Sequence, residues 1–361
     1  MLQALRQKIS PLIAPEWPEI DAKTAILWEP CSKSHGEIVP GYAQILLDLG
    51  YRVVVLMTPA RIPEGLFSRM THPRLVLTQL TQRQIARFVK TPTVHKAAVL
   101  LISTAGKLPH LPDKRVDLPS VFGTNIPKNL RLVEHDAKSE IDAGVWSDQT
   151  ITLRELDYKS AKSVVVNPHR FGEVEITPKT PGKTVFLLVG AARAKRRNQN
   201  LVYDAAARLV DAGTTSFEIR LIGKTGAQEI PAKLSPYVTE LGRLDFSEMY
   251  KEVENADFIV TAFQGDNIDH TAYRTVKTSG SFQLCYGFGK PCIVQAGFVK
   301  GTALNARNSL FYGTDEEMFD AMRKAIQLSE TEYAKLQKAL IADAKQLYST
   351  SLENTKNLIN D

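Results

Sequence analysis

Residues 275–294, T-V-K-T-S-G-S-F-Q-L-C-Y-G-F-G-K-P-C-I-V, combine a polar turn, one short helix and a buried strand. A cation and four small residues precede the apolar helical run: Lys277, Thr278, Ser279, Gly280 and Ser281. Small polar residues of this kind cap helices and leave backbone N–H groups available. The Gly-Lys-Pro triplet at residues 289–291 then ends the helix, and the apolar residues after it predict a buried strand.

The start of this helix has the properties of an anion site. Aligned peptide dipoles place about half a positive charge at a helix N-terminus, so a nucleotide diphosphate would bind there. An ordinary capped helix of an α/β protein has the same composition. Both interpretations therefore stay open on this stretch alone, and the rest of the chain has to decide between them.

Length and composition limit the class of protein. A chain of 361 residues is too long for one ordinary core and fits two domains, which implies a cleft between them. Hydrophobic residues make up 43% and charged residues 23%, as in soluble globular proteins. The net charge of +6 is compatible with a phosphate-bearing ligand or an anionic membrane surface, and it does not by itself indicate nucleic acid.

Cysteine usage and the amino-terminal segment predict the compartment. Cys31, Cys285 and Cys292 form no C-x-x-C pair, which favours a reducing environment. The first residues carry Arg and Lys within any apolar core, which argues against a signal peptide. No apolar run approaches the roughly 20 residues that span a bilayer. We expect a cytoplasmic protein, and contact with the inner face of the membrane is compatible with its charge.

Strand-like apolar runs alternate with helical patterns along most of the chain. This rhythm predicts parallel sheets covered by helices, in two α/β units. We expect a first domain at residues 1–166, a linker at 167–182 and a second domain at 183–361 that ends in helices. Predicted strands lie at residues 24–28, 51–57, 75–77, 97–102, 130–133, 163–166, 184–190, 217–222, 258–261 and 292–294.

Ligands of open parallel sheets bind beyond the carboxyl ends of the strands. In the second unit, basic residues follow one such strand end, in the loop A-A-R-A-K-R-R-N after Gly190. Arg193, Lys195, Arg196 and Arg197 are candidates for binding a pyrophosphate, because guanidinium groups pair with phosphate oxygens bidentately. We expect one or two of the four to contact ligand and the others to be solvated charges at a helix start.

Several of these stretches resemble the GT-B glycosyltransferases. The strand ending in Gly190 with Arg193 and residues 195–197 resembles their donor-phosphate loop, and S-G-S-F-Q-L-C-Y-G-F-G-K-P-C-I resembles their donor-binding helix and the next strand. C-S-K-S-H-G-E-I-V-P-G-Y at residues 31–42 and L-L-D-L-G-Y-R-V-V-V-L-M at 46–57 resemble the first loop, helix and second strand of their acceptor domain. N-P-H-R-F-G at 167–172 resembles the hinge. Residues 105–152 match only loosely.

The resemblance implies two Rossmann-like domains that face each other across a cleft. It also implies transfer of a sugar from a nucleotide-diphosphate sugar to a carbohydrate or lipid-linked acceptor, as in surface polysaccharide biosynthesis. The nucleotide sugar is then a co-substrate, and no cofactor is expected. The residues implied for the donor are Arg193, Lys195, Arg196, Lys277, Thr278, Ser279, Gly280, Ser281 and Gln283.

The helix region departs from the family pattern at one point. Many retaining members carry two glutamates seven residues apart there, and this chain has Thr275, Val276, Gln283 and Leu284 in the corresponding region. The Gln283 amide can hydrogen-bond a ribose or sugar hydroxyl, but it supplies no carboxylate. The stereochemical outcome therefore stays open on the sequence.

Inverting members of the family use a general base from the amino-terminal domain. His35 and Glu37 follow the first strand in a loop that would face the cleft, so they are candidates to bind the sugar or deprotonate the acceptor. The alternative is a surface histidine beside a glutamate that stabilises a helix start. His135 and Asp136 follow the strand at 130–133 and are candidates to join them.

Other chemistries lack their motifs. No D-x-D sequence and no His/Cys cluster with ligand spacing is present, so we expect no metal. The glycine motifs of dehydrogenases and P-loop nucleotidases, and G-x-S-x-G, are also missing. Two alternatives remain beside a glycosyltransferase: a nucleotide-sugar epimerase, and a non-catalytic protein that binds a sugar or nucleotide. The sequence does not specify the sugar, the base, the acceptor or the oligomeric state.

Overall fold

The computed structural model describes residues 17–31, 35–190, 197–224 and 228–360. Its first half contains the strands β1 (Thr24–Trp28), β2 (Arg52–Met57), β3 (Leu75–Gln79), β4 (Val99–Ile102) and β5 (Leu130–Leu132). These five strands form one parallel sheet in the order β3-β2-β1-β4-β5. The two short strands β6 (Ile151–Thr152) and β7 (Val164–Val165) pair with each other.

Helices cover both faces of the first sheet. They are α1 (Val39–Asp48), α2 (Gln82–Phe88), α3 (Leu118–Phe122) and α4 (Lys138–Asp142). Within β1, Ala25 and Leu27 pack in the core on the α1 side, and Ile26 packs on the α2 side with Phe88. Because side chains alternate along a strand, a strand covered on both faces is apolar throughout.

The second half repeats this architecture with six strands. They are β8 (Thr184–Val189), β9 (Phe217–Ile222), β10 (Val238–Gly242), β11 (Phe258–Val260), β12 (Cys292–Gln295) and β13 (Ser309–Tyr312), in the order β10-β9-β8-β11-β12-β13. The sequence pattern did not predict β10 and β13, which are the two outer strands. The helices are α5 (Gln199–Asp211), α6 (Phe246–Glu254), α7 (Ala272–Thr275) and α8 (Gly280–Phe288).

Two helices end the chain, α9 (Glu317–Gln327) and α10 (Glu330–Asn360). With 31 residues, α10 is about 46 Å long at 1.5 Å per residue. Leu340 packs in a core of the second half, and Tyr348 and Leu358 pack in a core of the first half. The Arg131 side chain donates to the carbonyl of Leu358 near the helix end, from Nε at 2.8 Å and from Nη2 at 2.6 Å. The last helix therefore joins both halves.

The segment between the two sheets, residues 166–183, is fully described and contains no helix or strand. It runs between α1 and α8, where two glycines permit close contact. A Cβ at Gly41 would lie 2.1 Å from the carbonyl oxygen of Pro168, and a Cβ at Gly287 would lie 2.3 Å from the Phe171 ring. The segment is thus packed between the halves, while the exact domain boundaries stay a prediction.

Two arginines of the first half bind the second half. Arg69 pairs with the Glu254 carboxylate through both terminal nitrogens of its guanidinium group, Nη1 and Nη2, with Nη2 2.7 Å from Oε2. Arg154, which is 2% exposed, donates to the carbonyls of Tyr273 at 2.6 Å and Arg274 at 2.9 Å. The Arg154 contacts fix the segment that leads into α8, and the Arg69 pair fixes the end of α6. In the part of the chain that the structure describes, no helix is both long enough and apolar enough to cross a membrane.

Candidate functional site

The order of the strands locates one candidate binding region in each sheet. In open α/β sheets, ligands bind at the carboxyl ends of the strands where the strand order reverses. This reversal lies between β1 and β4 in the first sheet, and between β8 and β11 in the second. Glu29 follows β1 and Ser103 and Thr104 follow β4, whereas Gly190 follows β8.

Glu29 is held by three hydrogen bonds at the first of these points. Its Oε2 accepts from Ser103 Oγ at 2.7 Å and from Thr104 Oγ1 at 2.8 Å, and its Oε1 accepts from the Cys31 N–H at 2.5 Å. Burial outweighs these bonds and raises the pKa of Glu29 to about 7. A carboxyl group with a near-neutral pKa at a switch point is a candidate for acid-base chemistry. The sequence motifs did not identify Glu29, although its place directly after a buried strand was available as a signal.

His35 and His135 form a ring pair beside Thr104. Their centroids are 4.5 Å apart, with the planes tilted by 38°. His135 Nε2 lies 2.8 Å from the carbonyl oxygen of Ser103, and because a carbonyl only accepts, Nε2 carries the proton and Nδ1 has the lone pair. Burial, and then the charge of His35, lowers the pKa of His135 to about 4. The His135 ring is therefore neutral at physiological pH.

A cavity of about 650 Å³ lies between the two halves and is lined by both. Its lining includes His35, Thr104, His110, Glu134, His135, Asp136 and Glu140 from the first half, and Asp269, Tyr273, Lys277 and Thr278 from the second. Lys277 Nζ lies 2.6 Å from Asp136 Oδ2, and the backbones of these two residues also form a bridge. The structure thus brings Lys277 and Thr278 to the same cavity as His35 and His135.

The start of α8 is joined to the strand ends of the second sheet by Arg197. Its Nη2 donates to Ser279 Oγ at 3.1 Å, and its Nη1 donates to the carbonyl of Thr261, after β11, at 3.2 Å. Ser279 Oγ also accepts from the Ser281 N–H at 3.2 Å, as a helix cap does. A guanidinium group therefore reinforces the positive end of this helix.

Glu37 of the first half lies against the start of α8. Its Oε1 is 3.0 Å from the position that a Cβ at Gly280 would occupy. Glu37 is thus placed beside the predicted phosphate site, on the opposite half of the molecule. The strand ends of the second sheet are also tightly packed, since a Cβ at Gly223 would lie 2.1 Å from the carbonyl oxygen of Gly190.

The other residues predicted to bind the donor are either buried away from the cleft cavity or lie outside the described residues. Ser281 is 2% exposed and Gln283 is 0% exposed, and within the described ranges their side-chain polar atoms make no hydrogen bond. Neither residue is among the described residues that line the cleft cavity. Arg193, Lys195 and Arg196 lie outside the described residues. Their roles, like that of Gln283, stay predictions.

Comparison with known proteins gives matches in structure only. No known family model and no curated protein sequence matches this chain. AviGT4, a glycosyltransferase involved in avilamycin A biosynthesis, is similar with a TM-score of 0.57 and 13% identity, over 93% of this chain and 98% of that one. Sucrose-phosphate synthase from Thermosynechococcus elongatus gives a TM-score of 0.55 and 10% identity, over 92% and 98% of the two chains.

A third similar structure is a mutant of TarM from S. aureus in complex with fondaparinux, alpha-GlcNAc-glycerol and UDP. Its TM-score is 0.51 at 13% identity, over 77% of this chain and 58% of that one. At these identities the likeness shows the fold. The chain has the GT-B fold of glycosyltransferases, and the predicted architecture of two Rossmann-like domains facing each other across a cleft is confirmed.

Proposed function

We propose that the protein transfers a sugar from a nucleotide-diphosphate sugar to a hydroxyl group of an acceptor held by its first half. The observation that carries this proposal is the meeting of two sets of groups at one cavity. Lys277 and Thr278, which directly precede the N-cap of α8, lie on one side, and His35 and His135 lie on the other. With a charged donor bound at one wall and a nucleophilic hydroxyl at the other, the two reactants are held close together.

The positive groups at α8 would bind the donor diphosphate. The backbone N–H groups at residues 279–281, the Arg197 guanidinium and Lys277 would offset the charge that develops on the leaving diphosphate, an effect often of several kcal/mol. Arg193, Lys195 and Arg196 belong to the same proposal. The UDP in the TarM structure supports a nucleoside diphosphate as the leaving group. In this mechanism neither a metal nor a cofactor takes part.

The first half would activate the acceptor. We assign deprotonation of the acceptor hydroxyl to His35, whose ring packs against the neutral ring of His135. Thr104 Oγ1 lies 3.4 Å from His135 Nε2 and donates to Glu29, so the ring pair lies close to a carboxyl group with a near-neutral pKa. Glu37, beside Gly280, is assigned to binding the transferred sugar. The acceptor is a carbohydrate or a lipid-linked hydroxyl compound, and we propose a cytoplasmic reaction.

A nucleotide-binding assay tests the donor site first. Thermal shifts are measured with UDP, GDP, ADP and TDP, because a ligand of the native state raises its apparent stability. We expect Lys277→Ala and Arg196→Ala to weaken binding of the best nucleotide by about tenfold or more. Lys300→Ala is the matched control, since Lys300 also pairs with an aspartate, Asp157, at 2.7 Å but does not line the cavity. Equal affinity in all variants would contradict the proposed donor site.

Product analysis then separates the three candidate functions. Formation of a glycosylated acceptor with release of the nucleoside diphosphate supports the transferase. A nucleotide sugar converted without any acceptor supports the epimerase. The replacement of the glutamate pair and the full burial of Gln283 favour a non-catalytic binding protein as the second candidate. Nucleotide binding with neither transfer nor hydrolysis across a broad acceptor panel would support it.

A further inference from the structure

One recess of the cleft cavity has an acidic floor and a basic rim. Glu134 is 6% exposed, and its Oε1 accepts from the backbone N–H groups of His135 at 2.7 Å and Asp136 at 3.0 Å. The other oxygen, Oε2, is buried and makes no hydrogen bond to any described residue. Glu140 lines the same cavity with a side chain that is 14% exposed. Lys107 and Lys114 also line it, but both are exposed and belong to the rim.

The carboxyl groups of the floor repel one another. Burial raises the pKa of Glu134, and the nearby Asp136 adds to this effect. Burial, and then the charge of Glu134, raises the pKa of Glu140 to about 7. His110 Nε2 lies 3.9 Å from Glu140 Oε1, and the electrostatic interaction of His110 with Glu134 lowers the pKa of Glu134 in part. Two buried carboxyl groups in this arrangement either keep a proton near neutral pH or bind a cation in its place.

Access to the Glu134 carboxylate depends on a glycine. A Cβ at Gly106 would lie 3.0 Å from both Oε1 and Oε2 of Glu134, so a side chain there would crowd the two oxygens. Gly106 itself is exposed and lines the cavity. Gly106, which has no side chain, therefore lies directly between the Glu134 carboxylate and the cleft.

We infer that this recess binds a primary ammonium group of the acceptor, so that the acceptor is an amino sugar or another amine-bearing hydroxyl compound. This inference rests on the proposed function and narrows its substrate class. An ammonium group supplies three donors and a positive charge, which matches an unpartnered carboxylate oxygen and a second carboxyl group. Lys277, which lines the same cavity, is already paired with Asp136. Among the described residues, no three His, Cys, Asp or Glu side chains are arranged to hold one metal ion, so an organic cation fits better.

The test compares two sugars that differ in one amine, D-glucosamine and D-glucose, by ligand-observed NMR or calorimetry at about pH 7. We expect glucosamine to bind at least about fivefold more tightly to the wild type. Binding should also release protons, seen as a dependence of the heat on the ionisation enthalpy of the buffer, because the ammonium group replaces a carboxyl proton.

Glu134→Gln is the decisive variant. Its amide oxygen can keep both backbone hydrogen bonds of Oε1, and its NH₂ group replaces the unpartnered oxygen, so the fold is preserved while the charge is lost. The preference for glucosamine should disappear in Glu134→Gln and fall in Gly106→Ala. It should persist in Asp269→Asn, which removes an exposed carboxylate from the opposite wall of the same cavity.

Three results would overturn the inference: no detectable glucosamine binding, equal binding of the two sugars, or a preference that survives in Glu134→Gln. None of these measurements uses a donor or turnover. If the nucleotides fail to bind but the glucosamine preference holds, the proposed function falls and the ammonium site stands. If the nucleotides bind and the preference is absent, only the ammonium site falls.

Discussion

At the scale of single residues, position at a strand end controls protonation. Glu29 follows β1 directly, so the sheet and the loops over it remove water from its carboxyl group, and three hydrogen-bond donors compensate only in part. Burial lowers the pKa of His135, because burial disfavours the charged form and the charged form of histidine is the protonated one. The usual order of the two pKa values is thereby reversed, so that the carboxyl group has the higher pKa and the imidazole the lower one. Environments that separate the pKa values of neighbouring groups are typical of acid-base sites.

The raised pKa of Glu29 predicts a pH-dependent stability. The native pKa of about 7 exceeds the ordinary 4.5, so the native state binds more protons than the unfolded state between these values. The contribution of Glu29 to stability is complete below about pH 4.5 and is lost as the pH rises through 7. Glu29→Gln removes this titration. On going from about pH 8 to about pH 5, the wild type should gain about 2 kcal/mol in unfolding free energy relative to the variant.

Urea unfolding of both proteins at several pH values measures this difference. The amide group introduced by Glu29→Gln is expected to keep a bond to the Cys31 N–H, and the two hydroxyl groups can rotate to accept from its NH₂ group. A difference in unfolding free energy that stays constant across this pH range would show that the Glu29 carboxyl group is not desolvated as described.

At the scale of elements, α1 and α8 are held apart by the segment between the sheets. Gly41→Ala tests this packing. Alanine is favoured over glycine in a helix by about 1 kcal/mol, so α1 alone would become more stable. The new Cβ would lie 2.1 Å from the Pro168 carbonyl, so we expect a net loss of about 2 kcal/mol in unfolding free energy, measured by urea titration.

Gly313→Ala provides the control for the helix contact. A Cβ at Gly313 would meet only the carboxylate end of Glu317, at 3.0 Å. That carboxylate accepts from the Gly313 N–H at 2.6 Å, and because this bond is exposed, the side chain can move at little cost. We expect little change in stability for this variant. A Gly41→Ala protein that is as stable as the wild type, or more stable, would mean that the connecting segment can shift away from α1 at no cost.

At the scale of the whole molecule, α10 couples the two halves. The Tyr348 hydroxyl donates to Asp48 Oδ2 at 2.8 Å, and the Arg170 guanidinium lies 4.6 Å from the centre of its ring. Tyr348→Ala should cost about 3 kcal/mol, mainly in the contact between α10 and the first half. Lys345→Ala, an exposed position on the same part of the helix, should have little effect.

The three tryptophans, Trp17, Trp28 and Trp146, all belong to the first half and make its unfolding visible. In the wild type we expect tryptophan fluorescence and far-UV circular dichroism to follow one coincident urea transition. In Tyr348→Ala the fluorescence transition should move to a lower urea concentration than the circular dichroism transition. Coincident transitions in the variant would show that other contacts, such as Arg69 with Glu254, are sufficient for coupling.

The sequence alone was sufficient to predict the elements that depend on a local pattern of residues. The predicted strands at residues 24–28 and 217–222 have the bounds of β1 and β9, and the small residues before Gly280 do cap α8. Period-2 and continuous apolar runs, capping residues and glycine stops depend on neighbours along the chain, so they can be read without tertiary structure. The outer strand β10 was missed because partial exposure weakens its apolar pattern. The other outer strand, β13, was missed although it is apolar and mostly buried, because it has only four residues.

By itself, then, the sequence determined two parallel α/β units, their order and the cap of α8, because backbone hydrogen bonding and burial impose local patterns on the chain. Only the tertiary structure decided which distant side chains meet. Glu29 contacts Ser103, the rings of His135 and His35 pack together, and Glu134 lines a cavity with Gly106 because the sheet order places β1, β4 and β5 side by side. The protonation of these groups follows from that enclosure, since desolvation depends on everything packed around a group and not on its neighbours in sequence.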